Sequence, residues 1–141
     1  MRAMDISRTG LDVEWRRLEI IAENLANVAT TRTASGQLYR AQRLVSGPRF
    51  AEALTGTAGG PSVDGVAVYG VEPTGEAGGR RVYEPGHPDA DASGFVTYPS
   101  VDTVSEMALM ARTARAYEAN IVAMNAARQM YAKAMELGKR S

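Results

Sequence analysis

Residues 102–137 read DTVSEMALMARTARAYEANIVAMNAARQMYAKAMEL, a stretch with neither glycine nor proline. Within it Met107, Met110, Ala114, Tyr117, Ile121, Met124, Tyr131 and Met135 recur in alternating three- and four-residue steps, interrupted only by Arg128. At 3.6 residues per turn these positions share one side of a helix, so they read as the seam along which it packs on another helix. A second line, Leu109, Ala116, Ala123, Ala127, Met130 and Ala134, is small and apolar and lets a further helix come close. The ends are marked too. Thr103 and Glu106 have the spacing of a capping box, and Gly138 with Lys139 and Arg140 gives a stop with cations at the negative end of the helix dipole.

The N-terminal segment has the same character. From Asp5 to Ala29 there is no proline and a single glycine, and Met4, Leu11, Trp15, Leu18, Ile21, Ala22, Leu25 and Val28 form one apolar face at helical spacing. Ile6, Val13 and Ile20, seven residues apart, fall almost opposite and form a second stripe. Residues 38–100 hold every proline and most glycines, with short alternating runs such as Val66–Tyr69 and Val82–Tyr83 that predict strands between turns. The stretches TGTAGG (55–60) and TGEAGG (74–79) lack the lysine and helix start of a phosphate-binding loop and read as linkers. The expected fold class is α+β: long N- and C-terminal helices packed as an antiparallel coiled-coil-like pair, with a small β-rich insert between them. The expected parts are residues 1–37 (helix and following turn), 38–100 (insert) and 101–141 (second helix).

Length and composition then bear on function. The first helix should be roughly 36 Å long and the second roughly 50 Å, too long for a small insert to cover both stripes of each. Contiguous apolar surface left in this way marks an interaction site, so assembly with other chains is expected. Sixteen acidic and sixteen basic side chains give no net charge, which argues against nonspecific nucleic-acid binding. On the second helix Arg112, Arg115 and Lys133 alternate with Glu118 and Glu136, a mixture that suits a protein neighbour better than a lipid surface. Cysteine is absent, removing disulfides, thiolate metal sites and cysteine nucleophiles. The first twenty residues carry Asp5, Asp12, Glu14 and Glu19 and no unbroken apolar run, so neither a cleavable signal peptide nor a membrane span is expected there.

One motif invites a catalytic reading. EPGHPDAD, residues 84–91, places Glu84, Asp89 and Asp91 around His87, the single histidine of the protein. In an extended segment His87, Asp89 and Asp91 would point one way as metal ligands or acid/base groups, making a small enzyme the rival to an assembly subunit. Against this, Pro85, Gly86 and Pro88 impose turns, the two aspartates favour bonds to their own backbone, and no second histidine completes a usual zinc set. A rigid structural loop of Glu84, Pro85, Gly86, His87, Pro88, Asp89 and Asp91 is the expectation, with no catalytic residue, metal or cofactor. In Asn24-Leu25-Ala26-Asn27 the two asparagines are read as satisfying free carbonyls at the helix end and steering the chain into a turn.

Three stretches, LEIIAENLANVATTRTASGQLYRAQ (18–42), VYEPGHPDAD with GFVTYPSV (82–101) and RAYEAN (115–120), resemble the family of bacterial flagellar rod and hook proteins, the central one in the manner of a basal-body rod member. The resemblance spans nearly the whole chain. It implies a structural subunit of the proximal rod, an axial drive shaft that transmits torque across the periplasm, built from terminal helices and exported through the flagellar type III apparatus without a cleaved signal. It implies as partners other copies of the chain, other rod proteins, and the MS ring and export gate at the rod base, with no nucleic acid and no direct lipid binding. The expected subunit-interface residues are Leu11, Val13, Leu18, Ile20, Ile21, Asn24, Leu25 and Asn27 in the first helix. In the second they are Met110, Tyr117, Asn120, Ile121, Met124, Met130 and Tyr131.

Overall fold

The computed structural model describes residues 2–50 and 63–139. Helix α1 (Arg2–Ala26) leads to strand β1 (Gln42–Phe50), then β2 (Val63–Pro73), β3 (Arg80–Tyr83), β4 (Phe95–Tyr98) and helix α2 (Thr103–Lys139). The strands make two antiparallel hairpins, β1 with β2 and β3 with β4. The linker reading of residues 55–60 falls outside the described residues.

The helices run antiparallel. Gly10 stands beside Asn120, Trp15 beside Tyr117, and Asn24 bonds Glu106, so position rises along one helix as it falls along the other. Gly10 permits the close approach, since a Cβ there would lie 2.8 Å from Asn120 Oδ1. The pair is unequal, 25 residues against 37. At equal rise per residue the start of α1 draws level with roughly residue 128, and the rest of α2 projects beyond it. Every residue from 128 to 139 is exposed. No described helix is long and apolar enough to cross a membrane.

The first hairpin lies along α1. Gln42 meets Asn24, Ser46 Oγ accepts from Arg17 at 2.9 Å, and the Val66 amide donates to Thr9 Oγ1 at 3.0 Å, so contacts step from one end of the helix towards the other. Thr9 in turn donates to the Ile6 carbonyl at 2.7 Å. Its hydroxyl thus serves a β2 amide next to a pairing irregularity, where the ladder alone leaves backbone groups unmatched. Gly65 makes this approach possible: its φ is 127° and a Cβ would run into Thr9 Oγ1. Val13, Ile20 and Leu44 form the core cluster, with Val66 packed against it.

This corrects the sequence reading of α1. Val13 and Ile20, expected to face another subunit, are each 3 % exposed inside their own chain, whereas Trp15, placed on the packed face, is 56 % exposed. The physical reason is shape. Strands of nine and eleven residues span about 30 to 36 Å, nearly the length of α1, so an insert small in mass is long enough to cover a stripe of it. The start of α2 also differs from expectation. Asp102, not a Thr103–Glu106 box, caps it, with Oδ1 accepting from the Val104 and Ser105 amides at 3.1 and 3.2 Å, while Glu106 is buried elsewhere. At the other end the helix runs through Gly138 to Lys139.

The second hairpin stands apart. Among the described residues its strands come close to neither helix nor to β1 and β2. It is tethered through loops, with Leu38 against Gly79 and Asp89 reaching the segment after α1.

Ile20→Ala is expected to lower stability in urea denaturation by about 2 to 5 kcal/mol, the cost of emptying a core site. Val122→Ala, at a position 68 % exposed in this chain, should change it by under about 0.5 kcal/mol.

Candidate subunit-assembly surface

Where the helix pair, the following loop and β1 meet, one amide side chain is fully enclosed. Asn24 Nδ2 donates to the Gln42 carbonyl at 2.8 Å and to Glu106 Oε2 at 3.1 Å; its Oδ1 accepts from the Gln42 amide and the Tyr39 hydroxyl, both at 2.9 Å. Two donors and two acceptances use the whole capacity of the amide. Glu106, 3 % exposed, takes Arg43 on its other oxygen at 2.7 Å. Burial first, then the charges of Glu23 and Glu106, raises the Tyr39 pKa and keeps its hydroxyl protonated as a donor. The cluster fixes α1, β1 and α2 to one another and leaves no polar group of Asn24 for a substrate or neighbour.

The EPGHPDAD segment is a run of turns. His87 N–H donates to the Glu84 carbonyl at 3.0 Å, Ala90 to His87 at 3.0 Å and Gly94 to Asp91 at 2.9 Å. Its polar side chains diverge. Glu84 accepts from the Tyr98 hydroxyl at 2.8 Å, His87 Nδ1 accepts from the Asp89 amide at 3.0 Å, and Asp89 accepts from Thr31 at 2.7 Å with Arg32 at 3.4 Å. Asp91 Oδ1 accepts from the Ser93 and Phe95 amides at 2.9 and 3.0 Å, and its Oδ2 from Arg81 at 2.6 Å. Among the described residues no three His, Asp or Glu side chains converge as a metal-binding group. The Asp91 carboxyl is held below its ordinary pKa, chiefly by the Phe95 amide and then by Ser93 and Arg81. The hydrogen bond to Glu84, ahead of burial, raises that of Tyr98.

Apolar side chains emerge on several sides of the helices. On α2 Val104 is 78 % and Met130 66 % exposed, and Met107, Val122, Tyr131 and Met135 are exposed as well. On α1 Trp15 lies 6.2 Å from Tyr117 and donates to Glu19 at 3.1 Å, forming with Leu11, Asp12, Arg16, Glu19 and Tyr117 a groove of about 480 Å³. A helix with apolar residues around its circumference belongs in surroundings that cover it on more than one side, and here α1 covers only one.

Comparison with known proteins accounts for this design. Residues 92–137 match the family described as flagellar basal body rod FlgEFG protein, C-terminal. The chain is 37 % identical over 139 residues to the flagellar basal-body rod protein FlgC of Salmonella typhimurium, covering 99 % of this chain and 98 % of the relative. It is 35 % identical over 147 residues to the FlgC of Bacillus subtilis, covering 97 % of each. It belongs to the FlgC family of flagellar basal-body rod proteins. The FlgC of Borreliella burgdorferi, 32 % identical over 148 residues, covers 96 % of this chain and 95 % of its own.

In this FlgC-family chain the expected interface residues divide into three sets by burial. Val13, Ile20, Ile21 and Asn24 are buried within the chain, so they hold the subunit together rather than face a neighbour. Asn24 does not satisfy carbonyls at the end of its own helix but bonds the loop, β1 and α2, whereas Asn27 does donate to the Glu23 carbonyl, at 2.9 Å. Leu11, Leu18, Leu25, Asn27, Met110, Tyr117, Asn120, Ile121 and Met124 are half-buried, and Met130 and Tyr131 are exposed. The Asn120 amide donates to the Ala116 carbonyl at 3.0 Å and abuts Gly10. Sequence reasoning missed Tyr39, Arg43 and Glu106 around Asn24, and Thr31 and Arg32 at Asp89. No spacing signal connects residues so far apart in the chain.

Asn24→Ala should lower stability by about 3 kcal/mol or more, because it strands Tyr39, both backbone groups of Gln42 and one oxygen of Glu106. A double-mutant cycle with Glu106→Gln, followed by urea denaturation, is expected to show coupling between the two sites.

A pH dependence follows for the loop. Because the folded pKa of Asp91 lies below the ordinary value of 3.8, its stabilising bonds are fully present above that value and are lost as pH falls through the folded pKa. The Ser93 and Phe95 amide resonances should therefore move together at a pH below 3.8, and Asp91→Asn should abolish that transition.

Proposed function

We propose that this chain is a subunit of the proximal rod, the axial shaft that carries torque through the periplasm, and that it assembles through its two terminal helices. Its partners are other copies of itself and other rod proteins, with the MS ring and export gate at the rod base, and delivery is through the flagellar type III apparatus. The observation that carries the reading is the uncovered apolar surface of α2, around its circumference and along its projecting end. Isolated in water such surface is unfavourable by about 25 cal/mol per Å² relative to burial, so it is a standing drive towards association. A subunit that meets neighbours through different patches makes heterologous contacts, and contacts that do not close generate helical structures. The pinned helix pair supports the mechanical role. Asn24 and Glu106 prevent sliding of α1 on α2 at one end, and the Gly10–Asn120 approach keys them nearer the other.

The test places charge on exposed α2 positions that the single subunit does not use. Ala123→Glu with Met130→Glu should leave the chain folded, with stability changed by under about 0.5 kcal/mol per site, yet abolish basal-body incorporation and swimming. Asn125→Glu, also exposed, should be tolerated. Normal basal bodies and swimming in the Ala123, Met130 double variant would overturn the reading.

A further inference from the structure

The α2 seam that packs on α1 does not stop where α1 stops. Glu106, Thr113 and Asn120 succeed one another at seven-residue steps on that side, as do Met110, Tyr117 and Met124. The next step of the second series is Tyr131, with Met135 one turn on, and both are exposed and lie past the level at which α1 starts. Tyr131 therefore repeats, two heptads later, the position of Tyr117, the residue whose ring pairs with Trp15. Trp15 itself remains more than half exposed after that pairing.

Resting on the rod reading above, we propose that the projecting end of α2 in one copy seats on the Leu11–Trp15 groove of a second copy, Tyr131 packing on Trp15. The chain thus carries both halves of the contact. The two halves lie about 21 Å apart along the helix pair, fourteen residues of rise between the level of Tyr117 and Tyr131, so one copy does not satisfy both by itself. Polarity agrees with the fit. Asp12 at the groove and Lys133 on the projecting end have no ion-pair partner among the described residues, and Arg128 and Lys139 make the projecting end basic against its single acid, Glu136. A partner chosen by this surface is therefore a helix groove with an aromatic ring and a free carboxylate, which the chain itself supplies. The seating makes Trp15 the middle of three aromatic rings, an arrangement worth more than area burial alone.

Two features of the sequence make the test clean: the chain has no cysteine and one tryptophan. A chain carrying both Trp15→Cys and Tyr131→Cys cannot close a disulfide within itself, since a disulfide needs Cα atoms within about 7 Å. Mild oxidation of the concentrated purified chain, and of basal bodies containing it, should give linked dimers and higher multiples that neither single variant gives. In the unaltered chain Trp15 emission should shift to the blue as concentration rises, and Tyr131→Ala should require about tenfold more protein for the same shift. Linked products from one single variant alone, no linkage in basal bodies that contain the double variant, or Trp15 emission unchanged at high concentration would each overturn the proposal. Linkage of the purified chain, with the unaltered chain itself missing from isolated basal bodies, would uphold this contact and sink the rod reading instead. If the cysteine variants do not accumulate, Asp12→Lys and Lys133→Asp decide the matter: each alone should weaken self-association and the two together should restore it, and a double variant no better than the singles counts against the contact.

Discussion

Asn24 lies within a turn of the end of α1, and its four hydrogen bonds reach the loop, the first residue of β1 and a buried carboxylate near the start of α2. An enclosed amide tolerates no partial arrangement, because each unmatched polar group in that environment costs free energy comparable to the bond it lacks. The positions of Tyr39, Gln42 and Glu106 are therefore set together rather than one at a time. Arg43 completes the cluster by neutralising Glu106, which would otherwise be a nearly enclosed charge without a cation. The register of the helix pair and the placement of the first hairpin both follow from this junction.

From there the chain divides the surface of α1 between two neighbours and one open side. Asn24 and Gly10 face α2, Val13 and Ile20 face β1 and β2, and Leu11 with Trp15 keeps an open groove beside Tyr117. The hairpin is what allows a 25-residue helix to bury two sides while the third stays available. Thr9 and Gly65 secure the hairpin far from the Asn24 junction, where the hydroxyl supplies an acceptor to a strand amide and the glycine gives it room. The residues that make the subunit rigid are thus distinct from the apolar residues left exposed on α2 and at Trp15.

The EPGHPDAD segment extends the same economy to the second hairpin. Its acids are committed to local amides, to Tyr98, to Arg81 and to the Thr31–Arg32 segment, so the histidine sits in a self-bonded loop rather than among convergent ligands. The Asp89 contacts tie this hairpin to the segment after α1, and they bring together two of the three stretches that resemble rod and hook proteins. The hairpin is held by polar contacts of modest strength, in contrast to the core-packed first hairpin.

The sequence by itself determined the elements: two long helices from uninterrupted three- and four-residue spacing, strands at Val66–Tyr69 and Val82–Tyr83 from alternation and turn residues, and turns at Pro85–Gly86 and Pro88. Local spacing is enough there because each feature depends on residues within a turn or two. It also exposed the two apolar stripes of α1 and the long seam of α2. What spacing does not contain is the identity of the neighbour at each angle of a helix. Only the tertiary structure decided that Val13 and Ile20 are covered from within the chain and Trp15 is not, because the outcome turned on the length and direction of a hairpin remote in sequence. Asn24 and Glu106 stand 82 residues apart and Thr31 and Asp89 stand 58 apart, so neither pairing leaves a periodic trace. Such contacts arise when separate segments are brought together and their buried polar groups must be satisfied, a condition imposed by the packed chain as a whole.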